Sequence, residues 1–91
     1  MQGALGPDEI RRRLAALSEW QLDGARLRKQ YRFESFGDAM AFANRVAALA
    51  EAADHHPDIL IEYHTVTLTL TSHDAGGLTG RDFSLAAQID G

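Results

Sequence analysis

The chain has 91 residues, a formal net charge of −4 and an ordinary globular composition, 45% hydrophobic and 24% charged, which together describe one small domain spanning 1–91. It has no cysteine, which excludes disulfide stapling and thiolate chemistry, and its acidic balance gives no general attraction to nucleic acid or to an anionic membrane. No apolar run approaches the ~20 residues of a membrane span, and Met1–Gly6 has neither the basic start nor the apolar core of a signal peptide, so a soluble, cytoplasmic protein is expected.

Residues 1–6 read as a loose lead-in. Pro7-Asp8-Glu9 then starts a helix, with proline in the first turn and two acids at the positive end of the helix dipole. Ile10, Leu14 and Leu17 recur at helical spacing, while Arg11, Arg12 and Arg13, with no aromatic residue interleaved, read as a solvated face rather than a nucleic-acid patch. Trp20-Gln21-Leu22 reads as a short strand entering the Asp23-Gly24 turn, since Asp-Gly suits the positive φ of tight hairpins. Trp20 reads as core, with the wall of a ligand pocket as the alternative. The return strand alternates. Ala25, Leu27, Tyr31 and Phe33 share one face, with Lys29 as the exception, and Arg26, Arg28, Gln30, Arg32 and Glu34 share the other.

Ser35 followed by Asp38 predicts a helix cap, and the helix it opens should run to about Asp54. Its apolar positions form two stripes, Phe36, Ala39, Met40, Ala43, Ala47 and Ala50 in one, and Phe42, Val46 and Leu49 in the other. A helix apolar on more than one face is usually buried on more than one, so a subunit contact is expected besides the contact with the sheet. The alternative is that the alanines simply favour helix.

Asp58–Tyr63 and Thr65–Ser72 then read as a hairpin, with Val66, Leu68 and Leu70 inward, Thr65, Thr67, Thr69 and Thr71 outward, and His64 solvated in the turn. His73–Gly77 reads as a flexible loop. Thr79 and Asp82 have the spacing of a capping pair before a last helix whose apolar face is Phe83, Ala86, Ala87 and Ile89. Helix, two strands, helix, two strands, helix predicts the α+β class: α-β-β-α-β-β-α, with a four-stranded antiparallel sheet covered on one face by helices.

Chemistry concentrates in Glu51-Ala52-Ala53-Asp54-His55-His56-Pro57 and, downstream, at Tyr63, His73 and Asp82. Imidazole exchanges protons near neutral pH without large tuning, so His55 and His56, with His73 at a strand end and carboxylates nearby, have the makings of an acid–base site. A plainer reading is that the His-His pair complements the helix dipole and Pro57 ends the helix, fixing the angle at which His56 is presented.

The spacing Glu51, His55-His56-Pro57, Tyr63, His73, Asp82 resembles the signature of the pterin-4a-carbinolamine dehydratases. Asp54-His55-His56-Pro57, the threonine-rich strand into Ser72-His73, and Arg81-Asp82 all fall in closely similar surroundings, and the likeness extends from the first helix onward. The resemblance implies the same α-β-β-α-β-β-α order, dimers or tetramers, and dehydration of 4a-hydroxytetrahydrobiopterin or a related 4a-hydroxytetrahydropterin to quinonoid dihydropterin, with no metal or organic cofactor. It implies that His55, His56 and His73 converge on the pterin, with His56 and His73 as the main proton-transfer pair and His55 assisting. It further implies that Asp54, Thr71, Ser72 and Asp74 bind the pterin's polar edge. Animal members tend to carry Glu where this chain has the shorter Asp74. Glu51 and Asp82 would orient histidines from behind, although Glu51 also reads as a surface residue and Asp82 as a helix cap; Tyr63 reads as packing. Two other classes compete: a zinc site from the three histidines and a carboxylate, and an oligomeric partner-binding module of the transcription-factor dimerisation type, a second role known for some animal members.

Overall fold

In the computed structural model, which describes residues 3–91, eight-residue helix α1 (Pro7–Leu14) leads into hairpin β1 (Gln21–Asp23) and β2 (Arg26–Arg32). Helix α2 (Phe36–Ala53), hairpin β3 (Asp58–Glu62) and β4 (Thr65–Leu70), one 3-10 turn (His73–Ala75) and helix α3 (Gly80–Asp90) complete it. The four strands form one antiparallel sheet in the order β1-β2-β4-β3. Class and element order are those expected from the sequence.

The strand order decides which residues are buried. Strand β4 is central, so its inward Val66, Leu68 and Leu70 are fully buried beneath the helices and face Tyr31, Lys29 and Leu27 of β2. Its outward Thr67 is buried too, because it lies between Leu60 of β3 and Gln30 of β2, whose amide donates to its hydroxyl. Strand β3, despite its apolar Ile59-Leu60-Ile61, is an edge strand, and Leu60 stays 53% exposed. Its strand ends at Glu62; Tyr63, in a left-handed conformation (φ 52°), occupies the hairpin turn and is 70% exposed instead of packed. His64 is half-buried, not solvated.

Helix α2 is capped by Ser35, whose hydroxyl accepts from the Asp38 amide at 3.0 Å. It turns Ala39, Phe42, Ala43, Val46 and Ala50 onto the sheet and α3. Of the first expected stripe, Phe36 and Ala47 remain exposed. Helix α3 buries Phe83, Leu85, Ala86 and Ile89, with Leu85 taking the core position expected for the exposed Ala87. Its far end is fixed by Asp90, which accepts from Trp20 Nε1 (2.7 Å), Lys29 Nζ (3.0 Å) and Tyr31 Oη (2.5 Å). This explains the cation on the inward face of β2: Lys29 is neutralised by a carboxylate 61 residues later in the chain. Trp20 is core, 5% exposed.

Met1 and Gln2, part of the expected loose lead-in, lie outside the described residues. The rest of that segment is tied down, because Leu5 N donates to Leu78 O at 2.7 Å and Leu5 packs against the core. Arg11, Arg12 and Arg13 pair with Asp8 and Glu9 of their own helix, as a solvated face does.

Candidate active site

Helix α2 ends in a way that sets the two adjacent histidines apart. Asp54 takes the left-handed conformation (φ 50°, ψ 44°); its amide donates to Glu51 O (3.3 Å) and that of His55 to Ala50 O (3.1 Å). This pair of bonds is a Schellman stop, a position that usually favours glycine. The helix therefore stops through Asp54, three residues before Pro57, which leads the chain into β3. Beyond the stop the backbone is no longer helical, and the two rings diverge. His55 turns into the protein and is 8% exposed; the His56 side chain stays 54% exposed and its Nε2 lies 3.0 Å from Glu51 Oε1.

His55 meets the most buried carboxylate of the chain. Asp82, fully buried, places Oδ1 2.6 Å from His55 Nε2 and accepts at Oδ2 from Ser72 Oγ (2.8 Å) and from the Thr79 amide (2.9 Å). Ser72 Oγ also lies 2.9 Å from Thr79 Oγ1. The two readings of Asp82 are thus both satisfied: one oxygen closes the capping box that starts α3, and the other holds His55. With both Asp82 oxygens accepting, His55 carries its proton on Nε2, and Nδ1 is the ring nitrogen left to accept.

The segment expected to be a flexible loop is an ordered 3-10 turn. The Ser72–Gly77 bridge closes it, Gly76 sits at φ 75° where a side chain would be strained, and His73 lies exposed at its start. Next to it, Asp74 Oδ1 accepts from Arg81 Nη2 at 2.7 Å. That guanidinium holds the exposed Asp74 carboxyl below its ordinary range.

Asp54, His55, His56, Thr71, His73, Asp74 and Arg81 together wall an open cleft of about 330 Å³. Of the residues singled out from the sequence, the three histidines, Asp54, Thr71 and Asp74 share this cleft. Ser72 and Asp82 are not among its walls; they are buried behind it, and the Ser72 hydroxyl is committed to Asp82 and Thr79. Thr71 donates its hydroxyl to Ala25 O at 2.8 Å, leaving that oxygen to accept. Glu51 stands outside, against His56, and Tyr63 is remote on the β3–β4 turn. Arg81 is the cleft residue that sequence reasoning did not assign. Its signal was its place beside Asp82 in the first turn of α3.

A larger hollow of about 540 Å³ lies elsewhere, between α1, the β1–β2 turn and Gly76–Leu78. Its walls are mainly Leu5, Ile10, Leu14, Leu22 and Leu78, and it contains no group suited to proton transfer. Among the described residues, no three His, Asp or Glu side chains are grouped so as to hold a metal ion.

The family model for pterin 4 alpha carbinolamine dehydratase matches residues 3–91. A provisionally named pterin-4-alpha-carbinolamine dehydratase of Roseiflexus castenholzii is 54% identical over 99% of this chain and 97% of its own length. One from Trichormus variabilis, with the same provisional name, is 48% identical over 98% and 96%. Among solved structures, a transcriptional coactivator/pterin dehydratase from Brucella melitensis superposes with a TM-score of 0.91 at 32% identity, covering 97% of this chain and 96% of that one. A pterin dehydratase-like RuBisCO assembly factor of the alpha-carboxysome gives 0.64 at 28% identity, covering 81% and 86%.

Proposed function

The chain belongs to the pterin 4 alpha carbinolamine dehydratase family, and from that premise we propose that it dehydrates a 4a-hydroxytetrahydropterin, 4a-hydroxytetrahydrobiopterin or a close relative, to quinonoid dihydropterin and water. The observation that carries this reading is a histidine set on a buried carboxylate at the wall of a cleft that also holds two further imidazoles.

The reaction needs two proton transfers. The C4a–O bond breaks as an acid protonates the leaving hydroxyl, and a base removes the proton from N5, whose electron pair forms the new double bond. Neither step requires a metal or an organic cofactor. The Asp82 bond to Nε2 leaves Nδ1 free to accept, the state a base needs, which supports giving His55 a part in the proton transfer rather than only an assisting one. His73, exposed across the cleft, is the acid. His56, steered by Glu51 at the rim, orients the ring or relays protons to solvent. Asp54 and Asp74 offer carboxylate oxygens to the donor edge of the pterin, N3–H and the 2-amino group, and Thr71 offers its hydroxyl oxygen. Ser72 acts from behind, through Asp82.

The same reading places the enzyme in the cytoplasm as a homodimer or homotetramer. The oligomer is supported by the exposed Leu60 on the unpaired edge of β3 and by Phe36 at the start of α2. No described helix is long and apolar enough to cross a membrane. The partner-binding reading draws on the coactivator and assembly-factor names of the two structural neighbours and on that apolar edge. A rapid-mixing absorbance assay of 4a-hydroxytetrahydropterin generated in situ separates the two. Catalytic amounts of the protein should accelerate its loss, and His73→Ala and His56→Ala should each slow it, His73→Ala by roughly 10²- to 10⁴-fold, in variants that remain folded. No acceleration by folded protein would overturn the dehydratase and favour the partner-binding module.

A further inference from the structure

The 540 Å³ hollow beside α1 is left unused by the chemistry of the cleft. Its volume falls within the roughly 300–1,000 Å³ of small-molecule pockets. Leu5, Ile10 and Leu14 are half-buried in its walls, and Leu22 of β1 is 48% exposed beside them. Arg11 is the one ionisable side chain among those walls. Its guanidinium pairs with Asp8, but the two side chains are 72% and 92% exposed. Such a surface pair contributes little and exchanges readily for another carboxylate. The hollow and the cleft share no wall, yet the same segments build both. Thr71 of the cleft donates its hydroxyl to the carbonyl oxygen of Ala25, a wall of the hollow, at 2.8 Å. The turn that presents His73 and Asp74 to the cleft is closed by the Ser72–Gly77 bridge, and its far end, Gly76 and Gly77, walls the hollow. A side-chain carbon at Gly77 would stand 3.0 Å from Ala4 Cβ, so the lead-in lies directly against that turn. The bond from Leu5 N to Leu78 O, 2.7 Å, holds it there.

We propose that this hollow is a second binding site, for an apolar monocarboxylate, and that a ligand there acts on the cleft through the His73–Gly77 turn. The tail of such a ligand displaces water from Leu5, Ile10, Leu14 and Leu22, which drives binding. Its carboxylate replaces Asp8 on Arg11, whose planar fork can hold both oxygens. A neutral amphiphile lacks that partner, an amine is repelled by it, and a polyanion finds no second cation among the walls. The class is therefore set by one apolar tail and one negative charge. To close on the tail, the lead-in, the β1–β2 turn and Gly76–Leu78 have to adjust together. Ala25 carries that adjustment to Thr71, and Gly77 carries it to Ser72 and the start of the His73 turn. Nothing in this chemistry depends on what the cleft binds.

The test titrates decanoate and decan-1-ol into the intact chain and follows the leucine methyl and histidine ring signals by NMR. Decanoate should saturate one site, shift the Leu5, Leu14 and Leu22 methyls, and bind roughly three- to tenfold more tightly than the alcohol. Arg11→Ala should remove that preference. Leu22→Asp changes an exposed position and spares the core, and it should abolish saturable binding by setting a like charge in the wall. The ¹⁵N shifts of the His73 ring should move in step with the leucine methyls. Equal affinity for acid and alcohol, or a decanoate affinity unchanged in Arg11→Ala, would overturn the ligand class. No saturable binding would overturn the site. If the wild type then self-associates in sedimentation while Leu22→Asp does not, a second copy of the chain is the occupant instead. Saturable binding that leaves the His73 ring unmoved would overturn the link to the cleft. None of these measurements requires turnover, so their failure leaves the dehydratase standing, and loss of the dehydratase leaves them intact.

Discussion

Asp82→Asn tests whether the buried carboxylate acts on chemistry through His55 or serves only the fold. The amide can place its oxygen where Oδ2 sits and keep the bonds from Ser72 Oγ (2.8 Å) and the Thr79 amide (2.9 Å). Its NH2 then faces His55 Nε2, now 2.6 Å from Oδ1, and two donors cannot meet there. His55 must move its proton to Nδ1 and accept at Nε2. The stability cost is moderate. Exchanging a charge-assisted bond for a neutral one costs about 1–1.5 kcal/mol. Losing the charge from the first turn of α3 adds about 0.3–1 kcal/mol. The sum, roughly 1.3–2.5 kcal/mol, lowers Tm by about 5–20 °C in a domain of this size. The protein stays folded, yet Nδ1 can no longer accept a proton, so the dehydration rate should fall by roughly 10²- to 10⁴-fold. Urea unfolding, the rapid-mixing assay and the ¹⁵N shifts of the His55 ring read the three effects separately. A folded Asp82→Asn protein whose ring has changed tautomer while its rate stays within twofold of wild type would refute the role given to His55. Asp82→Ala is the poorer probe, because it leaves His55 Nε2 and the Thr79 amide without a buried partner and costs more than about 3 kcal/mol.

Three further perturbations separate stability from chemistry. At Asp90, burial alone would raise the carboxyl pKa, but the bonds from Tyr31, Lys29 and Trp20 together outweigh it and lower it. A folded-state pKa below the unfolded value of about 3.9 means that the stabilisation is complete above that value and is lost as pH falls through the lower one. Asp90→Asn should therefore be less stable than wild type by about 1–3 kcal/mol in urea at pH 7, with the gap narrowing toward pH 3; a constant gap would show that charge is not involved. Asp54→Gly should stabilise the protein by up to about 1 kcal/mol, since glycine adopts the left-handed stop without strain, while weakening pterin binding. A destabilised variant would contradict the Schellman geometry. Glu51→Gln should leave Tm within a few degrees, because both it and His56 are largely exposed, and should lower the rate modestly; a loss as large as that of His73→Ala would move Glu51 into the chemistry.

Element order was legible in the sequence because each signal is local. Alternation over Arg26–Arg32 and Thr65–Leu70, the Ser35 and Thr79 caps, and the Asp-Gly turn each act within a few residues. Features that depend on distant partners were not legible. The inward Lys29 makes sense only beside Asp90, and the burial of outward Thr67 only once β4 lies between β2 and β3. Alternation gives each strand a wet and a dry face but does not say which strand is central. The candidate site divides along the same line. Spacing gathered the histidines and their carboxylates. The left-handed turn at Asp54, which sends His55 inward and His56 outward, and the burial of Ser72 behind the cleft required the folded chain. Arg81 was quoted from the sequence only beside Asp82, and its place in the cleft, paired with Asp74 seven residues earlier, required the folded chain.

Asp82 joins the end of α2, the end of β4 and the start of α3 through three side-chain or capping bonds, across separations of 27, 10 and 3 residues. A chain of 91 residues has little core to hold such segments together by packing alone. The polar cluster therefore serves as a folding contact and as the support for His55 at the same time. Consequently the site cannot be dismantled from behind without unsettling α3, whereas it can be altered from the front. His56, His73, Asp74 and Arg81 stand on the exposed side of the cleft. On the proposed function, substitutions there should act on chemistry and ligand choice with little effect on stability. Substitutions at the cleft rim are thus expected to cost little stability, whereas those in the Asp82–Ser72–Thr79 base are expected to cost much.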